Sequence, residues 1–179
     1  RDAESLLDQV DATLTKMKVA ASSRQALTDL RKEITAQKEK FEAFQQAKSV
    51  LDSKPDDPDA NFTVGRWLVT EERQWKLALP HLAKSSNSKP WQAAAVLELT
   101  PDAEAVKVGN AWWELAESEG EPAKRELLLH AGKWYEQALP NLTTLSKKLI
   151  DQRLTVIAAL PKPEAKAASS RKSQSGTSN

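Results

Sequence analysis

His81 and His130 are the only two histidines in a chain of 179 residues. An imidazole titrates near neutral pH and is the side chain best suited to general acid–base work. A helical enzyme built on either one would need a carboxylate beside it, and the reading predicts both histidines in one pocket. Against it, no His stands three or four positions from another, so no helical zinc pair exists. Packing or surface roles are therefore expected for both. The acidic run Asp52, Asp56, Asp57 and Asp59 suggests calcium, and Asp57-x-Asp59-x-Asn61 opens like a calcium loop. The pattern then fails. Phe62 stands where the loop needs Gly, and Leu68 where it needs a bidentate Glu. A solvated turn that caps a helix is the simpler reading. The chain contains no Walker loop, no G-x-S-x-G and no metal-binding helix motif. It has no Cys, which removes disulfides, thiolate metal sites and a Cys nucleophile together. No catalytic residue, metal or cofactor is expected.

The aromatic residues offer a second kind of chemistry. Six Trp is a high count for this length. They suit stacking on a sugar or a peptide, although core packing at helical spacing accounts for most of them. Trp112 and Trp113 are adjacent and cannot face the same way, so one of the pair is the leading candidate for an exposed ring. Trp91 follows, because its helix is short. With Arg66 they form the candidate binding set: Arg66, Trp112, Trp113 and Trp91. Two Asn-x-Thr triplets, Asn61-Phe62-Thr63 and Asn141-Leu142-Thr143, fit the glycosylation pattern but lie at helix boundaries, where chance explains them.

The elements that must position these residues are helical. The chain is 40% hydrophobic and 28% charged, with five Gly and abundant Ala, Leu, Lys, Glu and Gln. No apolar stretch approaches the roughly 18 residues of a bilayer span. Residues 1–51 carry two apolar seams, Leu7-Val10-Leu14-Met17-Ala21 and Leu27-Leu30-Ile34-Phe41-Phe44-Leu51, one residue out of phase. A break at Ala21 to Gln25, where Ser22 and Gln25 have capping-box spacing, would give an antiparallel pair; one long helix with a phase slip is the alternative. Asp52 to Asp59 cannot continue a helix past Pro55 and Pro58. Helices follow from Ala60 with Asp59 as cap, from about Trp75, from Pro90, and after Thr100-Pro101 with Pro at the first helical position. Beyond the Gly120-Glu121-Pro122 turn a helix runs through Leu142. A last one, from about Thr144 to Leu160, is expected to face the core with Leu149, Ile150, Leu154 and Ile157. The tail 161–179 is Lys, Ala, Ser and Pro, reads as disordered and is basic. With a net charge of +1, no global field draws the chain to nucleic acid.

Self-similarity is the most informative feature. Val64-Gly65-Arg66-Trp67 matches Val108-Gly109-Asn110-Ala111-Trp112 with one residue added. Ala78-Leu79-Pro80-His81-Leu82 matches Ala138-Leu139-Pro140-Asn141-Leu142, and Trp75 and Trp134 precede the two copies. In such a unit a Gly lets two helix axes approach, a Trp fills the space where they diverge, and neighbours must stack on the rest.

This pattern resembles the tetratricopeptide repeat, with Gly65, Ala78 and Leu82 at approximately the family's positions and a spacing one residue longer than usual. Residues from about 51 to 154, with PDDPDAN, VGRWL, QWKLALPHLAKSS, NAWWELAE, KWYEQALPNL and LIDQRL, also resemble a helical module of large bacterial multidomain proteins, notably of planctomycetes. The resemblance implies a bacterial interaction domain and no activity. The expectation is all-α: a helical N-terminal extension over 1–51, antiparallel helix pairs stacked as a short tetratricopeptide-like solenoid over 52–160, and the tail. The function expected is a non-catalytic scaffold that binds a protein partner, or other domains of a larger assembly, on its helical surface. Carbohydrate or surface-polymer binding through exposed Trp is the alternative. The N-terminal helices offer a route to a homo-oligomer. Arg1 in place of Met reads as a processed product or fragment, so the compartment stays open, export and the cell envelope included.

Overall fold

In the computed structural model, which describes residues 3–16 and 21–161, eight α-helices and one 3-10 turn account for most of the described residues, and no strand occurs among them. The helices are α1 Ala3–Lys16, α2 Ala21–Ser53, α3 Pro58–Thr70, α4 Trp75–Ala83, α5 Lys89–Leu99, α6 Ala105–Ser118, α7 Ala123–Ala138 and α8 Thr144–Ala158, with the 3-10 turn at Leu139–Asn141. Each packs on the next where the chain allows, and α3 also meets α7. The fold is an all-α stack of antiparallel pairs.

The stretch Ala21 to Gln25 lies at the start of α2 and is helical, so the break expected there does not occur; residues 17–20 lie outside the described residues. Helix α1 folds back along α2, with Arg31 paired to Asp8 at 3.0 Å. The boundary expected near residue 51 is not a packing boundary. At 33 residues, α2 is about 50 Å long, and its second half belongs to the main core: Phe44 and Ala47 are buried there. The Phe44 ring stacks on Trp67 with centroids 5.0 Å apart. The first half carries α1, and Val10 and Leu30 of the N-terminal seams remain exposed. The tail from 162 lies outside the described residues.

Helix α3 starts two residues earlier than expected. Asp57, not Asp59, is the cap: its side chain accepts the Ala60 N–H at 2.9 Å, with Pro58 at the first turn where a missing N–H costs nothing. Asn61 is fully buried. Its amide donates to the carbonyls of Pro55 and Asp57, each at 2.9 Å, which ties the Asp-rich turn to the helix. Pro101 does not open α6. Asp102 takes a φ of 58°, in the left-handed region that ends helical propagation, and α6 begins at Ala105. Helix α7 stops at Ala138 rather than Leu142, and the chain passes through Pro140 as a 3-10 turn, whereas Pro80 at the matching place stays inside α4. In α8, Ile150 is buried, whereas Leu149 is exposed and faces away from the core.

The two repeat copies share one packing device. A Cβ placed on Gly65 would lie 2.7 Å from Leu82 Cγ, and one on Gly109 would lie 2.6 Å from Tyr135 Cε1. Glycine thus sets the approach of α4 to α3 and of α7 to α6. Leu82, Tyr135 and Ala78 are fully buried at those crossings.

Candidate functional site

A groove of about 460 Å³ opens on α3. Thr63, Arg66, Trp67 and Thr70, spaced three and four apart on one helix face, line it together with Phe62. Lys40 of α2 and Glu121 and Pro122 of the α6–α7 turn complete its walls. Arg66 is held in place: its guanidinium pairs with Glu119 at 2.9 Å and lies 5.9 Å from the ring centroids of both Phe62 and Trp91. The side chain is still 43% exposed at the groove. The other Glu119 oxygen accepts the Trp91 indole N–H at 2.8 Å.

Trp91 leads inward. Its ring meets Trp112 edge-on at 6.2 Å and Phe62 edge-on at 6.0 Å. The Trp112 indole N–H donates to Glu98 Oε2 at 2.6 Å, and the same oxygen lies 2.7 Å from His130 Nε2. Glu98 Oε2 thus sits between the Trp112 and His130 rings, and the Trp134 indole N–H lies 3.4 Å from the same His130 nitrogen. The His130 ring stacks flat on Trp75, with centroids 3.5 Å apart and planes within 3°. An unbroken line of contacts therefore runs from Arg66 through Glu119, Trp91, Trp112 and Glu98 to His130 and Trp75. Burial costs a carboxylate or an indole N–H dearly unless a partner is present, and each here has one.

The structure brings Arg66, Trp91 and Trp112 together and sets Trp113 apart. Trp91 and Trp112 are not exposed rings. Both are fully buried, because their N–H groups find carboxylates inside the stack and their faces fill the α5–α6 crossing. Trp113 is half-buried on the other side of α6. There the Arg153 guanidinium lies over its ring at 4.9 Å, and its N–H donates to Glu117 at 2.9 Å. Tyr135 OH donates to Asn110 Oδ1 at 3.0 Å, and Arg153 donates to that same oxygen and to the Tyr135 oxygen, each at 2.5 Å. Burial pushes the Tyr135 phenol above its ordinary value, and the charge of Arg153 opposes that only in part.

The two histidines do not share a pocket. His81 bonds Asn61 Oδ1 through Nδ1 at 2.8 Å. Burial, and then the charge of Lys84, lower its pKa. His130 does have a carboxylate at hydrogen-bond distance, which one half of the enzyme reading requires, but the pair is locked between Trp rings. Among the described residues no group of three or more acidic or imidazole side chains is placed to hold a metal ion. No helix of the described residues is long and apolar enough to cross a membrane.

Glu98, Glu119 and Glu126 are the residues that sequence reasoning passed over. Their partners lie between 14 and 53 positions away in the chain, so no local spacing marks them. No protein-family profile matches the chain, and no curated protein or solved structure matches it either.

Proposed function

We propose that the chain is a non-catalytic interaction module that holds a segment of a partner polypeptide in the α3 groove, in the manner of a tetratricopeptide-like scaffold. The observation that carries this reading is the groove itself. It is open, about 460 Å³ in volume, and lined by two aromatic side chains, Phe62 and Trp67. Arg66 in its lining is oriented by Glu119 and still reaches solvent. A partner side chain laid on Phe62 and Trp67 would be desolvated, and its backbone would meet Lys40, Thr63 and Thr70 of the lining. Preorganisation favours such a site, because the aromatic line behind Arg66 fixes its geometry before the partner arrives.

Protein recognition is favoured over glycan recognition by the state of the indoles. All six Trp are buried or half-buried, whereas a sugar platform needs a flat ring face open to solvent. The test is a displayed-peptide selection on the intact protein, followed by titration of selected peptides into wild type and Arg66→Ala. Peptides that bind wild type and weaken about tenfold or more on Arg66→Ala support the reading. Peptides that bind both equally, or a glycan panel that shifts Trp fluorescence while no peptide is selected, would sink it.

A further inference from the structure

The α1–α2 hairpin has almost no core of its own. Among the described side chains from Ser5 to Ala43 none is buried, and the first buried one is Phe44. Helix α1 packs on the first half of α2, yet this contact leaves apolar side chains open on both helices. Leu6, Val10 and Leu30 are 49%, 46% and 45% exposed. Leu27 and Ile34, in the seam with Leu30, are only half-buried. Leu6 lies just outside the seam read from the sequence and widens its apolar stripe, the pattern of a helix that packs in a bundle rather than in a two-stranded coil. A helix of 14 residues, the length of α1, is marginal in water by itself, and α2 covers it from one side only.

Charge indicates what would cover the rest. Helix α1 is acidic, with Glu4, Asp8 and Asp11 against Lys16. Residues 21–40 of α2 carry more cations than acids, and Arg24, Arg31 and Lys38 recur every seven residues along one edge. Within the hairpin the two helices already attract, as the Asp8–Arg31 pair at 3.0 Å shows. A second copy offers the same acidic helix and the same basic one. Placed about a two-fold axis, α1 of each copy would lie on α2 of the other, with like-charged helices on the diagonals, where they are furthest apart. The open side is therefore self-complementary in apolarity and in charge, as an isologous contact requires. An unrelated chain would have to match both helices at once. The size of the face sets the strength of the contact. Helix α1 is about 21 Å long and a helix pair about 20 Å wide, which gives about 400 Å² per copy in projection. That is roughly half the ~800 Å² per partner of a standard stable interface, so the dimer should be a weak one.

We infer that a second copy of this chain packs on the open side of the α1–α2 hairpin, α1 of each copy against α2 of the other, and closes a two-fold four-helix bundle. The experiment is sedimentation equilibrium of the intact protein over a range of concentrations. A monomer–dimer equilibrium with a dissociation constant of about 10–100 µM is expected, with no larger species. Val10→Glu and Leu30→Glu, both at exposed positions, should weaken it at least tenfold and keep the helical circular dichroism. Leu149→Glu, exposed on α8, should leave it unchanged. Raising the salt from about 0.05 M to about 0.5 M should weaken the dimer several-fold, because acid meets base across the axis. The chain has no Cys, so single labels give a second readout that does not depend on the Glu variants. A donor on Gln9→Cys of one population and an acceptor on Thr28→Cys of another should transfer energy on mixing. A chain that stays monomeric to about 1 mM, a dimer indifferent to both Glu variants, a dimer that tightens with salt, or mixed labels without energy transfer would overturn the inference.

Discussion

Gly109→Ala is the sharpest single perturbation of this fold. The added Cβ would lie 2.6 Å from Tyr135 Cε1 and 2.8 Å from Cδ1. The ring cannot swing away cheaply, since Tyr135 is fully buried and its hydroxyl is held by Asn110 and Arg153. Overpacking of this kind costs about 1–3 kcal/mol, and the tether places it in the upper part of that range. Alanine returns about 1 kcal/mol of helix propensity. The net loss should be about 1–2 kcal/mol. Gly132 supplies the internal control on the next helix. A Cβ there would lie 3.3 Å from Ile157 Cδ1 and 3.5 Å from its Cγ2, with Leu154 Cδ2 at 4.0 Å, a milder contact than at Gly109, so Gly132→Ala should keep most of the propensity gain and stabilise by up to about 1 kcal/mol. Urea unfolding followed by circular dichroism gives both numbers. If Gly109→Ala proves as stabilising as Gly132→Ala, close approach through glycine is not what sets the α6–α7 crossing.

Three further outcomes follow from the same contacts. Glu98→Ala leaves the Trp112 N–H buried without an acceptor and His130 Nε2 without its carboxylate partner, and should cost about 3 kcal/mol, with Glu98→Gln nearer to 1 kcal/mol; equal losses in the two variants would mean that the hydrogen bonds are not the cause. Phe44→Ala should destabilise the whole chain by about 3 kcal/mol and change Trp67 fluorescence, while Leu30→Ala at an exposed position should change stability by less than about 0.5 kcal/mol; a local effect from Phe44→Ala would detach α2 from the core. The His81 pKa is depressed below the ordinary 6.5 by burial, so the unfolded chain takes the proton first. Stability is then full above about pH 6.5 and lost as the pH falls through the folded value, and His81→Gln should flatten that part of an unfolding-versus-pH profile.

The helical class, the helix order and the two glycine crossings were legible because they rest on local pattern: apolar period, proline punctuation and a motif written twice. Boundaries slipped where a neighbouring residue of the same kind did the work, as with Asp57 in place of Asp59, or where a left-handed residue intervened, as at Asp102. The reach of α2 into the core was hidden because Phe41 and Phe44 follow the same period, while only Phe44 meets Trp67 face to face. The site was only half legible. Arg66 and the Trp residues stand out by type, but whether an indole is buried depends on a distant carboxylate, and Glu98 and Glu119 carry no local mark. The Asp52–Asp59 run, prominent in the sequence, proved to be a capped turn held by Asn61.

The central claim is that the α3 groove holds a partner polypeptide. It is tested most directly by placing a photo-crosslinking amino acid at Thr63, inside the groove, and in parallel at Lys147 on α8, then irradiating in the native lysate. One polypeptide should be captured at Thr63 and not at Lys147. The peptide mapped at the crosslink, when synthesised, should bind wild type and lose that binding on Arg66→Ala. Identical capture at both positions, or a mapped peptide indifferent to Arg66, would contradict the account.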